Sequence, residues 1–270
     1  MRARDGLDSL EHDGRTPFNL RHRAAMTPRQ HSRPHLRSWR IHPSHALAAA
    51  AVCGAGFALM VFLVLTGRSA LLDTAGLQVW RAGPGLAPRG LGWLLEGIRD
   101  LTGMGGVLMR HVFAIGAVAA LLFLNLRREA AVLTGTVVGG WIVNSLIKDF
   151  VGRARPTIVP HLTEASGNSF PSGHSFNSAV VFLAIALAFA AMSPRRSVRW
   201  TIVAGAAALT WLIAFSRVWL GVHFPSDVIA GWLGGASWAF LAAAALDRPA
   251  QAAVEARPPR TLRDGTDRTA

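Results

Sequence analysis

Lys148 is the only lysine among the 28 lysine and arginine residues of this chain. It heads an ordered series of groups suited to a phosphate: Arg155, then Ser172, Gly173 and His174, then Arg217, His223 and Asp227. Two histidines, one carboxylate and three cations are the parts needed to cleave a phosphate ester without a metal. A phosphoryl group spreads negative charge over its equatorial oxygens, so its transfer depends chiefly on positioning and electrostatic stabilisation. Arg155 and Arg217 offer planar, bidentate donors to those oxygens, and Lys148 adds a compact point charge. Pro171-Ser172-Gly173-His174 runs straight into an apolar segment. Free backbone N–H groups and the positive end of a helix dipole make an anion site there. Gly173 admits close approach of the backbone, and the Ser172 hydroxyl can donate once more.

His223 and Asp227 are the expected nucleophile pair. Pro225 suits the first turn of a helix, which places Asp227 in that turn with its carboxylate reaching back to one ring nitrogen of His223. The other nitrogen is then free to attack phosphorus and form a phosphohistidine. His174, across the phosphate, protonates the leaving oxygen and then activates water. Neither a metal nor another cofactor is required, and the acidic residues of these loops are too scattered for a two-metal site. Neighbouring polar groups carry blander expectations. Arg153 reads as a solvated charge, His161, Glu164 and Asn168 as ordinary loop polarity, and Asp149 as a charge balance for Lys148. Each group alone would be unremarked, since a cation at a membrane helix end is usually an interfacial anchor. Their order is what points to function.

The elements that must position these groups are apolar. The chain of 270 residues is 51% hydrophobic, and runs of about 20 apolar residues match the hydrocarbon thickness of a bilayer. Six such segments lie at Ala46–Thr66, Val107–Leu126, Ala130–Ile147, Ser175–Met192, Trp200–Phe215 and Val228–Leu246. The expected fold is an all-α polytopic membrane bundle with six transmembrane helices over residues 46–246. Residues 1–45, basic and broken by prolines, read as a disordered tail, with Met26 an alternative initiator. Residues 247–270 read as a second disordered tail. The first apolar segment is too long for a signal-peptide core and reads as an uncleaved anchor. The lone Cys53 allows neither an intramolecular disulfide nor a cysteine metal cluster.

The net charge of +13 sits mostly in tails and short loops, which suits anionic lipid headgroups better than nucleic acid. Membrane lipids, and no nucleic acid, are therefore the expected partners beside the substrate. Arg37 and Arg40, Arg127 and Arg128, Arg195, Arg196 and Arg199, and Arg248 and Arg257 all fall on one side, which the positive-inside tendency makes cytoplasmic. Both chain ends lie there. The loops 67–106, 148–174 and 216–227 lie on the other side and carry the chemistry. In the first of them Leu91, Leu94, Leu95, Ile98 and Leu101 recur at helical spacing. That stripe fits a helix on the membrane surface or one packed on the bundle. Trp211, Trp219 and Trp232 read as anchors or packing residues.

The stretches KDFVGRARP at Lys148–Pro156, PSGH at Pro171–His174 and SRVWLGVHFPSD at Ser216–Asp227 resemble the signature KxxxxxxRP, PSGH and SRxxxxxHxxxD of the type 2 phosphatidic acid phosphatase superfamily. Every motif position matches, and the resemblance extends over about residues 46–246. It implies His223 as nucleophile, Asp227 as its partner, His174 as general acid, and Lys148, Arg155 and Arg217 as phosphate ligands. It also implies an all-helical core and metal independence. The expected activity is hydrolysis of a lipid phosphate or diphosphate in a bacterial cell membrane, with the site facing outward. Undecaprenyl diphosphate, phosphatidic acid and phosphatidylglycerol phosphate are the candidate substrates, and the outward face favours the first. Two other readings share the constellation. A vanadium haloperoxidase-like enzyme would use it for vanadate, although six apolar spans argue against that. A non-catalytic lipid-binding protein would be expected to have lost one of His174, His223 and Asp227, all of which are present.

Overall fold

The computed structural model describes residues 43–90 and 92–255, with side chains as far as residue 245. Residues 1–42 of the expected N-terminal tail and 256–270 of the C-terminal one lie outside the described residues. The elements are α1 (Pro43–Leu65), α2 (Ala70–Gln78), a two-stranded hairpin of β1 (Arg81–Ala82) and β2 (Ala87–Pro88), α3 (Gly92–Met104), α4 (Val107–Phe123), α5 (Arg127–Val151), α6 (Gly173–Ala190), α7 (Arg196–Trp219) and α8 (Pro225–Glu255). α6 contains a π-helical turn at Ala179–Leu183.

The fold is a membrane helical bundle. α1, α5, α6, α7 and the first part of α8 are each long and apolar enough to cross a bilayer. α4 has 17 residues, about 25 Å at 1.5 Å per residue, short of a hydrocarbon core of about 30 Å. With α3 it forms a pair bent by 48°, and the bundle has five spans, or six if that pair is taken as one. Large apolar side chains such as Val52, Leu59, Ile115, Phe123, Trp141 and Leu146 are exposed. That is the reverse of a soluble surface, and hydrocarbon is the solvent that suits it. α8 is helical to Glu255, so residues 247–255 of the segment read as a tail continue that helix.

α6 is the central helix, with Phe176, Ala179, Val180, Val181 and Leu183 almost wholly buried. α8 crosses it at close range because glycine faces it. A Cβ on Gly231 would lie 2.7 Å from the Ser172 carbonyl oxygen, and one on Gly235 would collide with the Phe176 carbonyl. The crossing holds the Pro-Ser-Gly-His turn against the start of α8, where Asp227 stands. Replacement of Gly235 by valine should cost about 1–3 kcal/mol or more, because backbone cannot move aside as a side chain can. A lowered thermal midpoint in detergent is the check; an unchanged midpoint would mean the crossing is looser than described.

α5 runs on past Ile147 to Val151, so Lys148 belongs to its last turn. Gly152 ends the helix in the left-handed conformation, φ 61°, with its N–H on the Lys148 carbonyl. Of the two placements open for the helix in the first outer loop, the structure has the packed one. Leu94, Leu95 and Ile98 of α3 lie against Trp219, Leu220 and Val222. The tryptophans pack as well: Trp211 and Trp232 meet edge to face at 5.2 Å, and Trp219 is buried.

Candidate active site

Four helix ends meet at one end of the bundle. Lys148 comes from the last turn of α5, His174 from the first turn of α6, Arg217 from the last turn of α7 and Asp227 from the first turn of α8. Arg155 and His223 stand in the connecting loops. His174 lies within electrostatic reach of Arg217, Arg110, His223 and Arg155, and Lys148 within that of Arg155 and Asp227. Residues far apart in sequence are therefore brought close together.

His223 is buried and its two ring nitrogens face different partners. Nε2 lies 3.1 Å from Arg155 Nη1. A guanidinium only donates, so Nε2 must present its lone pair and the ring proton must sit on Nδ1. On that side Asp227 Oδ2 is 3.6 Å away, beyond a hydrogen bond. Ser169 fills the gap: its hydroxyl donates to Asp227 Oδ2 at 2.5 Å, and its oxygen is 3.3 Å from Nδ1. Asp227 also accepts the Phe224 N–H at 3.0 Å and Arg153 Nη1 at 2.6 Å. The expected direct contact between Asp227 and His223 is thus relayed by a serine.

Burial pushes His223 down to about 4, with Arg155 and Arg217 adding to the shift and Asp227 opposing it. The imidazole is therefore neutral, and nucleophilic, across the physiological range. Its affinity for a proton sets the acidic limit of the free enzyme. With the substrate's own ionisation divided out, kcat/KM should show no fall on acidification until about pH 4, where protonation of His223 sets in. A limb near the ordinary histidine value of about 6.5 would mean the ring is more solvated than the structure has it.

The cations are held from behind. Lys148 Nζ donates to the Asn168 carbonyl at 2.7 Å, and the Asn168 side chain donates back to the Lys148 carbonyl at 3.1 Å. Arg155 donates to the carbonyls of Gly167, Ser166 and Val222; burial lowers its pKa, yet a guanidinium stays charged. Arg217 Nη1 donates to Thr102 Oγ1 of α3 at 3.0 Å, whereas its buried Nε has no partner. An unpaired buried donor costs about 1–3 kcal/mol, a cost that an anion would relieve. A Cβ on Gly173 would come within 3.6 Å of Lys148 Cε, so the space above this glycine faces the lysine. Ser172 is differently placed from the expectation. It is fully buried, and its oxygen accepts from Ser175 Oγ at 3.0 Å and Ser175 N at 3.5 Å. It caps α6 rather than opening on the pocket.

Several residues escaped the sequence reading. Arg153 is not a solvated charge: it pairs with Asp227 at 2.6 Å and with Asp73 of α2 at 2.7 Å. Asp73 is a lone acid in an otherwise largely apolar helix, a signal that was there to be read. Arg110, a charge inside an apolar span and so a functional candidate by type, is buried and donates to the carbonyls of Gly105 at 2.6 Å and Gly173 at 3.2 Å. It borders a small open groove lined also by His111, Val137, Trp141, Asn177 and Val181. His161, by contrast, only meets the Pro156 carbonyl. Among the described residues no group of three or more His, Cys, Asp or Glu side chains is placed to hold a metal ion.

A family model described as the PAP2 superfamily matches residues 128–249. The chain is 32% identical over 154 residues to phosphatidylglycerophosphatase B of Bacillus subtilis, covering 55% of this chain and 73% of that one. It is 38% identical over 122 residues to lipid A 1-phosphatase of Rhizobium etli, covering 42% and 48%. With undecaprenyl-diphosphatase BcrC of Bacillus subtilis it shares 31% over 126 residues, covering 43% and 58%. The crystal structure of a transmembrane PAP2 type phosphatidylglycerolphosphate phosphatase from Bacillus subtilis superposes with a TM-score of 0.58 at 22% identity, covering 81% of this chain and 98% of that one. At that identity the likeness shows the fold.

Proposed function

We infer that this chain, which belongs to the PAP2 superfamily, is a membrane lipid phosphatase that works through a phosphohistidine on His223. The observation that carries the mechanism is the His223 ring, with Nδ1 against Ser169 and the Nε2 lone pair turned to Arg155. Phosphate oxygens held by Arg155, Arg217 and Lys148 would bring phosphorus to that lone pair. The P–N bond forms as the P–O bond to the lipid breaks, and His174 gives its proton to the leaving oxygen. An anion seated among the cations favours the protonated imidazole that this donation needs. In the second step His174 takes a proton from water, the water oxygen attacks phosphorus, and the P–N bond breaks to release phosphate. None of these roles calls for a metal.

The named relatives act on a phosphatidylglycerophosphate, a lipid A 1-phosphate and an undecaprenyl diphosphate by their names. The shared class is a phosphate monoester or diphosphate on a lipid. Arg110 touches the Gly173 carbonyl and borders a small groove with Val137, Trp141 and Val181, which in this reading is the side on which the lipid chain lies. Undecaprenyl diphosphate is the preferred reading, with the site on the outer face of a bacterial cell membrane and both chain ends inside. The test is phosphate release from undecaprenyl diphosphate, phosphatidic acid and phosphatidylglycerol phosphate by the purified protein in detergent with excess EDTA. Release that survives EDTA supports the reading, and the best substrate names the class. Release lost to EDTA removes metal independence. A folded protein inert on all three lipids removes lipid phosphatase activity.

A further inference from the structure

Asp73, Arg153 and Ser226 form a closed network that none of the motif chemistry uses. The Arg153 guanidinium is held on three sides. Nη2 donates to Asp73 Oδ2 at 2.7 Å, and Nη1 donates to Asp227 Oδ1 at 2.6 Å and to Ser226 Oγ at 2.8 Å. Its face lies 4.2 Å over the Phe224 ring. Ser226 closes the circle by giving its hydroxyl proton to Asp73 Oδ2 at 2.8 Å and its backbone N–H to Asp73 Oδ1 at 3.0 Å. Asp73 is 2% exposed, so α2 is fastened to the first turn of α8 by a buried carboxylate.

This arrangement answers a problem the site poses. An arginine beside the catalytic carboxylate, at the edge of a phosphate pocket, would be drawn to the phosphate as the substrate arrives. Asp227 would then lose its partner on Oδ1 and be free to turn. Its Oδ2 would leave Ser169, and the hydroxyl that receives Nδ1–H of His223 would be misplaced. A second carboxylate behind the guanidinium prevents this, because Arg153 now has fixed charge partners on both sides. We propose that Asp73 and Arg153 are positioning residues for the phosphatase reaction, holding Asp227 and, through Ser169, the His223 ring in the attacking tautomer. The proposal rests on the reading of His223 as nucleophile.

Groups facing His223 are Asp227 from α8, Arg155 from the loop, Arg217 from α7 and His174 from α6. Removing the Arg153 charge from behind Asp227 leaves the carboxylate freer to favour a protonated ring. The experiment compares Arg153→Met, Asp73→Asn and the double variant with wild type for kcat, KM and the pH dependence of kcat/KM. Arg153→Met should lower kcat by about 10- to 100-fold, the scale of a small misplacement of a reacting group, while KM stays within about threefold. Its acidic limb should move to higher pH. Asp73→Asn should lower kcat in the same sense, and the double variant should be no worse than Arg153→Met, since groups acting as a unit are not additive. Wild-type kcat in Asp73→Asn, or losses that multiply in the double variant with an unmoved limb, would overturn the proposal. Should Arg153→Met fail to fold, the isosteric Asp73→Asn carries the test alone through kcat and its limb. An inactive wild type would sink the phosphatase reading and this proposal together, whereas an active wild type with unaffected variants sinks the proposal only.

Discussion

Replacing His223 by alanine should leave a folded protein that binds lipid phosphate and releases none. The expected loss in kcat is about 10⁴-fold or more, the scale seen when a nucleophile is removed and binding groups remain. The geometry explains why folding should survive. The ring's polar contacts are Ser169 at 3.3 Å and Arg155 at 3.1 Å, and both neighbours keep stronger partners. Ser169 holds Asp227 at 2.5 Å, and Arg155 holds three carbonyls. The vacated space is lined by polar groups and can take water. Lys148, Arg155 and Arg217 remain to bind phosphate, so affinity should fall far less than turnover. Titration of the variant with a lipid phosphate, beside phosphate-release assays, separates the two. Substantial turnover by His223→Ala would remove the histidine from the chemistry.

Asp227→Asn should come second in severity, with a loss of about 10³- to 10⁴-fold in kcat, as expected when the group that orients a catalytic histidine becomes an amide. Asp227 is fully buried and accepts only: from Arg153, from Ser169 and from the Phe224 N–H. An amide must turn its NH2 either toward Arg153 or toward Ser169 and the Phe224 N–H together. If it faces Ser169, the hydroxyl has to reverse and donate to His223 Nδ1, which forces the wrong tautomer. If it faces Arg153, two donors oppose each other. Breaking a buried pair usually costs about 3–5 kcal/mol; Arg153 keeps Asp73 and is 19% exposed, so the lower end applies. The variant should therefore unfold at lower temperature as well as turn over slowly, unlike His223→Ala. Near-wild-type kcat at a lowered midpoint would make Asp227 structural.

The residues proposed to carry the chemistry were legible in the chain because that chemistry restricts their types and the helix ends restrict their spacing. Lys148, Arg155, His174, Arg217, His223 and Asp227 could be picked out and are found together. Their supports could not be picked out in the same way. Ser169 and Asn168 act through a loop whose path depends on packing. Asp73 stands out as a lone acid in α2, but its pairing with Arg153 and Ser226 emerges only when α2 is seated on α8, a contact between segments about 150 positions apart that no local pattern encodes. Hydropathy located the six apolar segments but misjudged ends. α5 continues through Lys148 because helical hydrogen bonding does not stop where polarity begins, and Gly152 supplies the stop. The stripe of α3 was visible too, yet an apolar face looks the same whether lipid or protein covers it. Here it covers α7 and brings Thr102 to Arg217.

The most direct test is to trap the intermediate. Wild-type protein would be mixed with a lipid phosphate labelled in its terminal phosphoryl group, quenched in alkali within a turnover, and digested for peptide mapping. The account predicts a label stable to alkali and lost in acid, as a phosphoramidate bond requires, on the peptide containing His223 and absent from His223→Ala. Turnover with no labelled protein at any time point, or a label that survives acid on another residue, would contradict it.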